Sequence, residues 1–239
     1  MILLGVVALT DAAVIGAALT MRGLFAPAGD RLFAFYTEAE GSRADLFMLV
    51  TSVLQSLAFL ATAVVFIIWF HRVRKNADVF APDLLDRGAG WAIGSWFIPF
   101  AALWIPRGIA AQVWTASRSQ PYAGDEHEPR TPVNLWWGAF VIAWLVTRVA
   151  DRQYERAESP YDIVSATELL VVAHALDILA ALLAIRFVHK LTGMQHARAL
   201  ERAQPAPTAA PVPPTAPASP TAPVPPATSA PAPEPGLPA

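Results

Sequence analysis

The chain has 239 residues, of which 55% are hydrophobic and 15% charged, with a formal net charge of −2 at neutral pH. Soluble domains carry about 25% charged residues, so this composition argues against a soluble protein, and the near-zero charge gives no sign of a nucleic-acid partner. The lack of cysteine excludes disulfides, thiolate metal sites and cysteine nucleophiles.

Five apolar stretches follow one another along the chain, at residues 2–21, 46–70, 91–116, 134–149 and 164–188. A helix needs about 20 mostly apolar residues to cross the hydrocarbon core of a membrane. The alternating segments of a membrane β-barrel are absent, which leaves helices to satisfy the backbone in lipid. The sequence therefore predicts an all-α, polytopic bundle in the cell membrane with four or five full spans.

The first stretch is predicted to be a retained helix and not a cleaved signal peptide. No basic residue precedes it, and Asp11 interrupts what would be the apolar region of a signal. The abrupt start leaves open that the natural N-terminus lies further upstream.

Tryptophans lie near the ends of several stretches, as in the aromatic belts of membrane proteins. Trp69 closes the second stretch, Trp91 opens the third, and Trp136 and Trp137 open the fourth. We expect these side chains to lie at the level of the lipid headgroups.

The composition changes at residue 203, and 14 of the 22 prolines follow it. Proline, alanine and threonine cannot build a core, so we predict a helical domain at 1–202 and a disordered tail at 203–239. Two Pro-Thr-Ala-Pro repeats in the tail have the spacing of proline-motif ligands, although a plain spacer fits the composition equally well.

Arg72, Arg74 and Lys75 directly follow the second stretch and are predicted to anchor that loop in the cytoplasm. If all five stretches cross, the side with this loop carries seven Lys and Arg residues and the other side nine, against the positive-inside rule. If the third stretch dips in and returns, the numbers become ten and six, and the rule is obeyed. Both topologies stay open, because a re-entrant segment must be shielded by protein.

Three charged side chains fall near mid-membrane depth: Asp11, Arg107 and Asp177. Such groups cost about 2.5–3.5 kcal/mol each on insertion scales and usually face a partner or water. We expect the two aspartates to flank Arg107. The cluster would either line a small polar cavity or act as a structural ion pair that fixes helix packing.

His174 and Asp177 are neighbours on one helix face, since they are three residues apart, and Glu168 precedes them on the same helix. This arrangement suggests a proton relay through Glu168 and His174, with plain packing as the alternative. Two ligands on one helix are too few for a zinc site, so we expect no metal and no other cofactor.

Pro99 and Pro106 are expected to kink a helix in the third stretch, because each removes an intrahelical hydrogen bond. Carbonyls freed in this way also occur at transporter sites. Gly90 and Gly94 in the third stretch, and Ala12 and Gly16 in the first, have the spacing of close helix contacts.

Several motifs carry a family resemblance: VFIIWFHRVRKN at 65–76, GWAIGSWFIP at 90–99, LWIPR at 103–107, VW at 113–114 and LTGMQH at 191–196. Together they resemble the actinobacterial membrane family called domain of unknown function 4328, over about residues 1–197. The resemblance implies a multi-pass membrane protein and no particular activity, substrate or catalytic residue. The family pattern leads us to expect an asparagine between Pro99 and Pro106, where this chain has Ala102.

No phosphate-binding loop, zinc-protease motif or nucleophile elbow is present in the sequence. We therefore expect a non-enzymatic membrane protein that acts by binding, as a scaffold or regulatory component. Its expected partners are the lipid bilayer, anionic lipid headgroups, and another membrane protein or a second copy of the chain. A small-solute transporter or channel component that uses Asp11, Arg107 and Asp177 is the alternative.

Overall fold

A computed structural model describes residues 1–26, 36–124 and 128–203 of the chain. The tail was predicted at 203–239; Ala203 is the last residue of the final helix, and the remainder lies outside this described part. Within it, six α-helices are joined by two short 3-10 turns, at Pro82–Leu84 and Ala101–Leu103. The helices are α1 (Ile2–Phe25), α2 (Glu38–Phe80), α3 (Trp91–Gly94), α4 (Ile105–Ala116), α5 (Thr131–Glu155) and α6 (Pro160–Ala203).

Four of these helices, α1, α2, α5 and α6, are long and apolar enough to cross a membrane, with 24, 43, 25 and 44 residues. At 1.5 Å per residue, α2 and α6 are each about 65 Å long, twice the hydrocarbon thickness of roughly 30 Å. Their polar ends must therefore project beyond it. The prediction of an all-α bundle with membrane-spanning helices is confirmed.

Capping boxes mark where two of the long helices begin. Thr37 accepts a hydrogen bond from the Glu40 amide at 3.2 Å, and the Glu40 carboxylate accepts one from the Thr37 amide at 2.8 Å. Ser159 and Asp162 exchange the same pair of bonds at the start of α6. Each box satisfies two backbone donors that a helix start leaves open. Only a short link separates α5 from α6, so the two helices run antiparallel.

The long helices pack in the order α2, α1, α6, α5, with α1 between α2 and α6, and α6 between α1 and α5. α2 and α6 end, and α1 and α5 begin, at the same end of the bundle, which we call the basic end because Arg72, Arg74 and Lys75 lie there. The other end, where α1 and α5 finish, is called the opposite end. Each end has its own buried apolar core.

The third apolar stretch does not form a continuous helix. α3 has four residues and α4 has 12, or about 18 Å, too short to cross. Trp96 packs against Phe66 of α2 and Phe140 of α5, within their apolar parts. The chain then returns, and Ser117 accepts a hydrogen bond from Gln195 at the basic end. These contacts agree with the dipping alternative and not with a fifth spanning helix.

Neither proline kinks a helix, so that prediction is wrong. Pro106 lies in the first turn of α4, where its missing amide proton costs nothing. Pro99 precedes Phe100, which has a φ of 62° at the tip of the dipping segment. Its ψ of −49° and the hydrogen bond from the Ala101 amide to the Pro99 carbonyl at 2.7 Å define a γ-turn with positive φ, which is a rare and strained conformation. The backbone at Phe100 reverses the chain direction between α3 and α4, whereas the sequence predicted one continuous helix with a kink.

Aromatic side chains fill the core of the basic end. Trp136 of α5 stacks on Phe187 of α6 with ring centroids 4.5 Å apart, and Trp114 of α4 stacks on the same phenylalanine at 6.2 Å. Each such pair contributes about 0.5–1.5 kcal/mol beyond area burial. Trp114, Trp136 and Trp137 are buried, so these tryptophans pack inward and do not face lipid headgroups as expected. The ring cluster holds the dipping segment between α2 and α5.

The small residues do not mark close helix contacts within the chain. A Cβ added at Gly16, Gly90 or Gly94 would meet no neighbouring described atom within 4 Å. The expected small-residue packing is therefore not found between the helices of one chain.

Gln195 is a buried polar node at the basic end. Its amide nitrogen donates to the Val73 carbonyl at 2.9 Å and to Ser117 Oγ at 3.0 Å, and its amide oxygen accepts from Asn76 Nδ2 at 3.0 Å. The three bonds tie α2, the end of α4 and α6 together, so this side chain fixes where the dipping segment returns.

We expect Gln195→Ala to lower the free energy of unfolding by about 1–3 kcal/mol, because it leaves buried partners without hydrogen bonds. Thermal unfolding of the detergent-solubilised protein, followed by circular dichroism, measures the change. His196→Ala is the matched control, since His196 is the exposed neighbour on the same helix. Equal effects of the two substitutions would contradict the assignment of Gln195 as a node.

Candidate functional site

An acid–histidine cluster lies inside the bundle, between α1 and α6. Asp11, near the middle of α1, is fully buried, with 0% of its surface exposed. Its Oδ1 lies 3.0 Å from Nδ1 of His174 on α6, at hydrogen-bonding distance. The apolar stretch around Asp11 gives the carboxylate no other way to be solvated, so the imidazole is its main compensation.

Asp177 completes the cluster from the next turn of α6. Its Oδ2 lies 3.9 Å from His174 Nδ1, as the three-residue spacing on one helix face predicts. Thr147 of α5 donates a hydrogen bond to the same oxygen at 2.8 Å. Asp11, His174 and Asp177 thus form one group, held by three helices, and this group is the acid–histidine cluster.

Ionised groups at this depth in a membrane carry a large free-energy cost. Insertion scales put an aspartate at the centre of a membrane helix at about 2.5–3.5 kcal/mol, and removing one partner of a buried pair costs about 3–5 kcal/mol because the other charge is left alone. Asp11 Oδ2 nevertheless has no hydrogen-bond partner among the described residues. The cluster therefore satisfies one oxygen of its most buried carboxylate and leaves the second without a protein donor.

Arg107 does not join the two aspartates. The structure places it on α4, exposed, where its guanidinium donates to Asn134 Oδ1 at 2.7 Å. Asn134 is 13 residues before Thr147 on α5, which corresponds to about 20 Å along the helix. The predicted neighbourhood of Asp11 and Asp177 is found, but His174 takes the position expected for Arg107. The reason is that the third stretch turns back before it reaches the depth of the cluster.

Glu168 is also separate from His174. It forms an ion pair with Arg22 at 2.9 Å, in which both side chains are about half exposed, at the opposite end of the bundle. The predicted relay of Glu168 and His174 therefore has no direct contact in the structure. The partner of His174 is Asp11, from a different helix.

The three cations of the basic anchor have different surroundings. Arg74 is buried, donates to the Arg87 carbonyl and pairs with Asp78 at 2.6 Å. Arg72 and Lys75 are exposed. Arg74 therefore holds the chain after α2 in place, and only the other two are available to a partner outside the protein.

Sequence reasoning missed two members of the site. Thr147 is the one hydroxyl in the fourth apolar stretch, and this signal was available without a structure. Asp151, one turn further along α5, interacts electrostatically with His174 and Asp177. It was missed because it lies outside the apolar stretch, and only the packing of α5 on α6 turns it towards the cluster.

The arrangement can hold a cation. Two carboxylates and one imidazole offer oxygen and nitrogen lone pairs within 4.8 Å of one another. A proton shared between Asp11 and His174 is one such cation, and a metal ion bound by all three side chains is another. Either would reduce the charge that the cluster carries in an apolar environment.

Comparison with known proteins gives a family and no activity. The family described as "Domain of unknown function (DUF4328)" matches residues 35–193, more than half of the chain. No curated protein and no solved structure matches this chain. The motifs that carry the resemblance converge at the basic end, where Phe70 and Trp114 belong to one buried cluster, Trp96 packs against it and Gln195 bonds to Ser117. The chain therefore belongs to the family of domain of unknown function 4328.

Proposed function

We propose that this protein is a non-enzymatic, multi-pass component of the cell membrane that acts by binding, as a scaffold or regulator, with anionic lipid headgroups as ligands of the basic end. It crosses the membrane four times in this proposal, with both the start of α1 and the end of α6 in the cytoplasm.

The exposed apolar tip of the dipping segment is the observation that carries the proposal. Phe97, Phe100 and Trp104 are 73%, 77% and 59% exposed, although each is large and apolar. Beside them, an open groove of about 340 Å³ is lined by Gly88, Gly90, Trp91, Gly94 and Ile98. Apolar side chains that project from a rigid aromatic platform beside spanning helices are suited to contact with acyl chains.

Exposed cations at the same end support headgroup binding. Arg72 and Lys75 follow directly after the apolar part of α2 and point away from the protein core. A Lys or Arg near an anionic membrane surface contributes about 1 kcal/mol of attraction. Acyl chains at the tip and phosphate groups at the cations would then be bound by one continuous surface.

The distribution of positive charge supports the orientation. If the third stretch returns to the basic end, the segments that the sequence assigns to that side contain ten Lys and Arg residues and those assigned to the other side six, with Arg107 of the stretch itself not counted. This excess favours a cytoplasmic location of the basic end under the positive-inside rule.

Single-cysteine labelling tests the topology cleanly, because the chain has no cysteine of its own. We expect Ser119→Cys and His196→Cys to react with a membrane-impermeant maleimide in inverted vesicles only, and Glu158→Cys in intact cells only. Phe97→Cys should react only after detergent solubilisation, since lipid covers the tip. Labelling of positions 119 and 158 from the same side would refute four crossings.

Lipid preference tests the binding proposal. We expect the detergent-purified protein to retain phosphatidylglycerol over phosphatidylcholine in native mass spectrometry, and Arg72→Gln/Lys75→Gln to lose about 2 kcal/mol, or roughly 30-fold, of that preference. Arg152→Gln/Arg156→Gln is the matched control, because it removes two exposed cations from the opposite end. The same loss in both double variants would contradict a specific site at the basic end.

A small-solute transporter or channel component is the second candidate, and the acid–histidine cluster is the observation that favours it. Ionisable side chains inside a membrane bundle commonly mark proton or cation paths. Asp177 is 23% exposed at its side chain, so the cluster is not fully closed.

Proteoliposomes with an internal pH-sensitive dye test this candidate. If the cluster conducts protons, the wild-type protein should dissipate a pH gradient, and Asp177→Asn should slow it at least about tenfold by removing one titrating group. Glu168→Gln, which changes a carboxylate outside the cluster, should leave the rate unchanged. A wild-type rate equal to that of protein-free vesicles would eliminate the candidate.

A further inference from the structure

Three side chains of the acid–histidine cluster have the spacing of metal ligands. Asp11 Oδ1 and His174 Nδ1 are 3.0 Å apart, His174 Nδ1 and Asp177 Oδ2 are 3.9 Å apart, and the ligand atoms of all three residues lie within 4.8 Å of one another. Ligands at 2.0–2.1 Å from a tetrahedral zinc ion are separated by about 3.3 Å. The observed distances lie on both sides of this value, so small rotations of the side chains would complete the geometry.

The second oxygen of Asp11 independently points to a ligand that the protein does not supply. Asp11 is 0% exposed, and its Oδ2 has no hydrogen-bond partner among the described residues. An unpaired carboxylate oxygen in an apolar interior carries an uncompensated desolvation cost. A bound cation removes this cost, because it accepts lone pairs from the same carboxylate that faces His174.

The charges around the cluster favour a bound cation. In the described part of the chain, the ion pairs of Asp11 and Asp177 are both with His174. A protonated imidazole supplies one positive charge against two carboxylates, and the nearby Asp151 adds a third negative group. A divalent ion balances Asp11 and Asp177 while the histidine stays neutral and donates its nitrogen lone pair.

The ligand types select the class of metal. Magnesium and calcium favour sites made of oxygen ligands, whereas an imidazole nitrogen with carboxylates suits zinc and neighbouring first-row transition metals. The chain has no cysteine, which excludes soft thiolate coordination. Thr147 donates to Asp177 Oδ2 at 2.8 Å and would orient that carboxylate, as outer-shell hydrogen bonds do at metal sites.

We propose that Asp11, His174 and Asp177 form a binding site for one divalent transition-metal ion such as zinc, which links α1 to α6 inside the membrane bundle. Three protein ligands leave a fourth position for water or for the second oxygen of Asp11. Asp177 is the partly exposed ligand, and Asp151 lies one helical turn beyond Thr147 towards the opposite end. This inference does not depend on lipid binding at the basic end.

Cobalt titration of the full-length protein tests the site. The protein is purified in detergent without a histidine tag, stripped with a chelator and titrated with Co²⁺. We expect one equivalent to bind, with the strong visible absorption of four- or five-coordinate cobalt, and zinc to displace it. Asp177→Asn and His174→Asn should each weaken binding at least about 100-fold, and Thr147→Val about tenfold with unchanged stoichiometry.

His189→Asn is the matched control, because His189 is an exposed histidine elsewhere on α6, and it should bind cobalt like the wild type. Size-exclusion profiles and circular dichroism show which variants are folded. If His174→Asn does not fold, Asp177→Asn provides the test, because Asp177 is partly exposed and its substitution disturbs packing less. Three results would overturn the proposal: no stoichiometric uptake by the wild type, equal affinity in folded Asp177→Asn, or uptake of Mg²⁺ in preference to Co²⁺.

Discussion

Hydrocarbon offers no hydrogen-bond partner to a peptide group, and this constraint shapes every part of the bundle. The four long apolar segments satisfy their backbone as helices. Hydroxyl groups within them obey the same rule, since Thr10, Thr20 and Thr62 donate to carbonyls one turn earlier. The third stretch, with two prolines, cannot complete a helix. Its backbone instead forms turn hydrogen bonds, from the Ala102 amide to the Ile98 carbonyl at 3.0 Å and from the Leu103 amide to the Phe100 carbonyl at 2.9 Å, and Trp137 donates to the carbonyl of Leu103.

α6 carries two members of the acid–histidine cluster and supports the core of the basic end. His174 and Asp177 lie in its central part, Phe187 stacks in the aromatic core, and Gln195 closes the basic end. Because one helix holds all of these side chains, the acid–histidine cluster and the core of the basic end share one support. α1 contributes Asp11 to the cluster and α5 contributes Thr147, so the packing of α1 and α5 on either side of α6 is what assembles the candidate site.

The basic end shows how one short motif serves two purposes. Arg74 is directed into the protein and stabilises the connection after α2 through Arg87 and Asp78. Arg72 and Lys75 face outwards. Helical geometry separates the roles, because each residue is rotated by about 100° from the one before it, so Arg72 lies about 160° and Lys75 about 100° from Arg74 around the helix. The charge of such a motif can therefore not be assigned to membrane attraction as a whole.

The sequence by itself determined the class of protein, its helical segments, the cation-rich end and the family, because each depends on composition, length or local spacing. Depth in the membrane could also be read from position within an apolar stretch, which is why Asp11 and Asp177 were expected together. What only the tertiary structure decided is which helices are neighbours and how each is rotated about its axis. Those two properties explain why His174 and not Arg107 lies beside the two aspartates. They also explain why Glu168 pairs with Arg22 and why Thr147 and Asp151 lie near the cluster. They arise from side-chain packing between segments far apart in the chain, for which linear spacing holds no information.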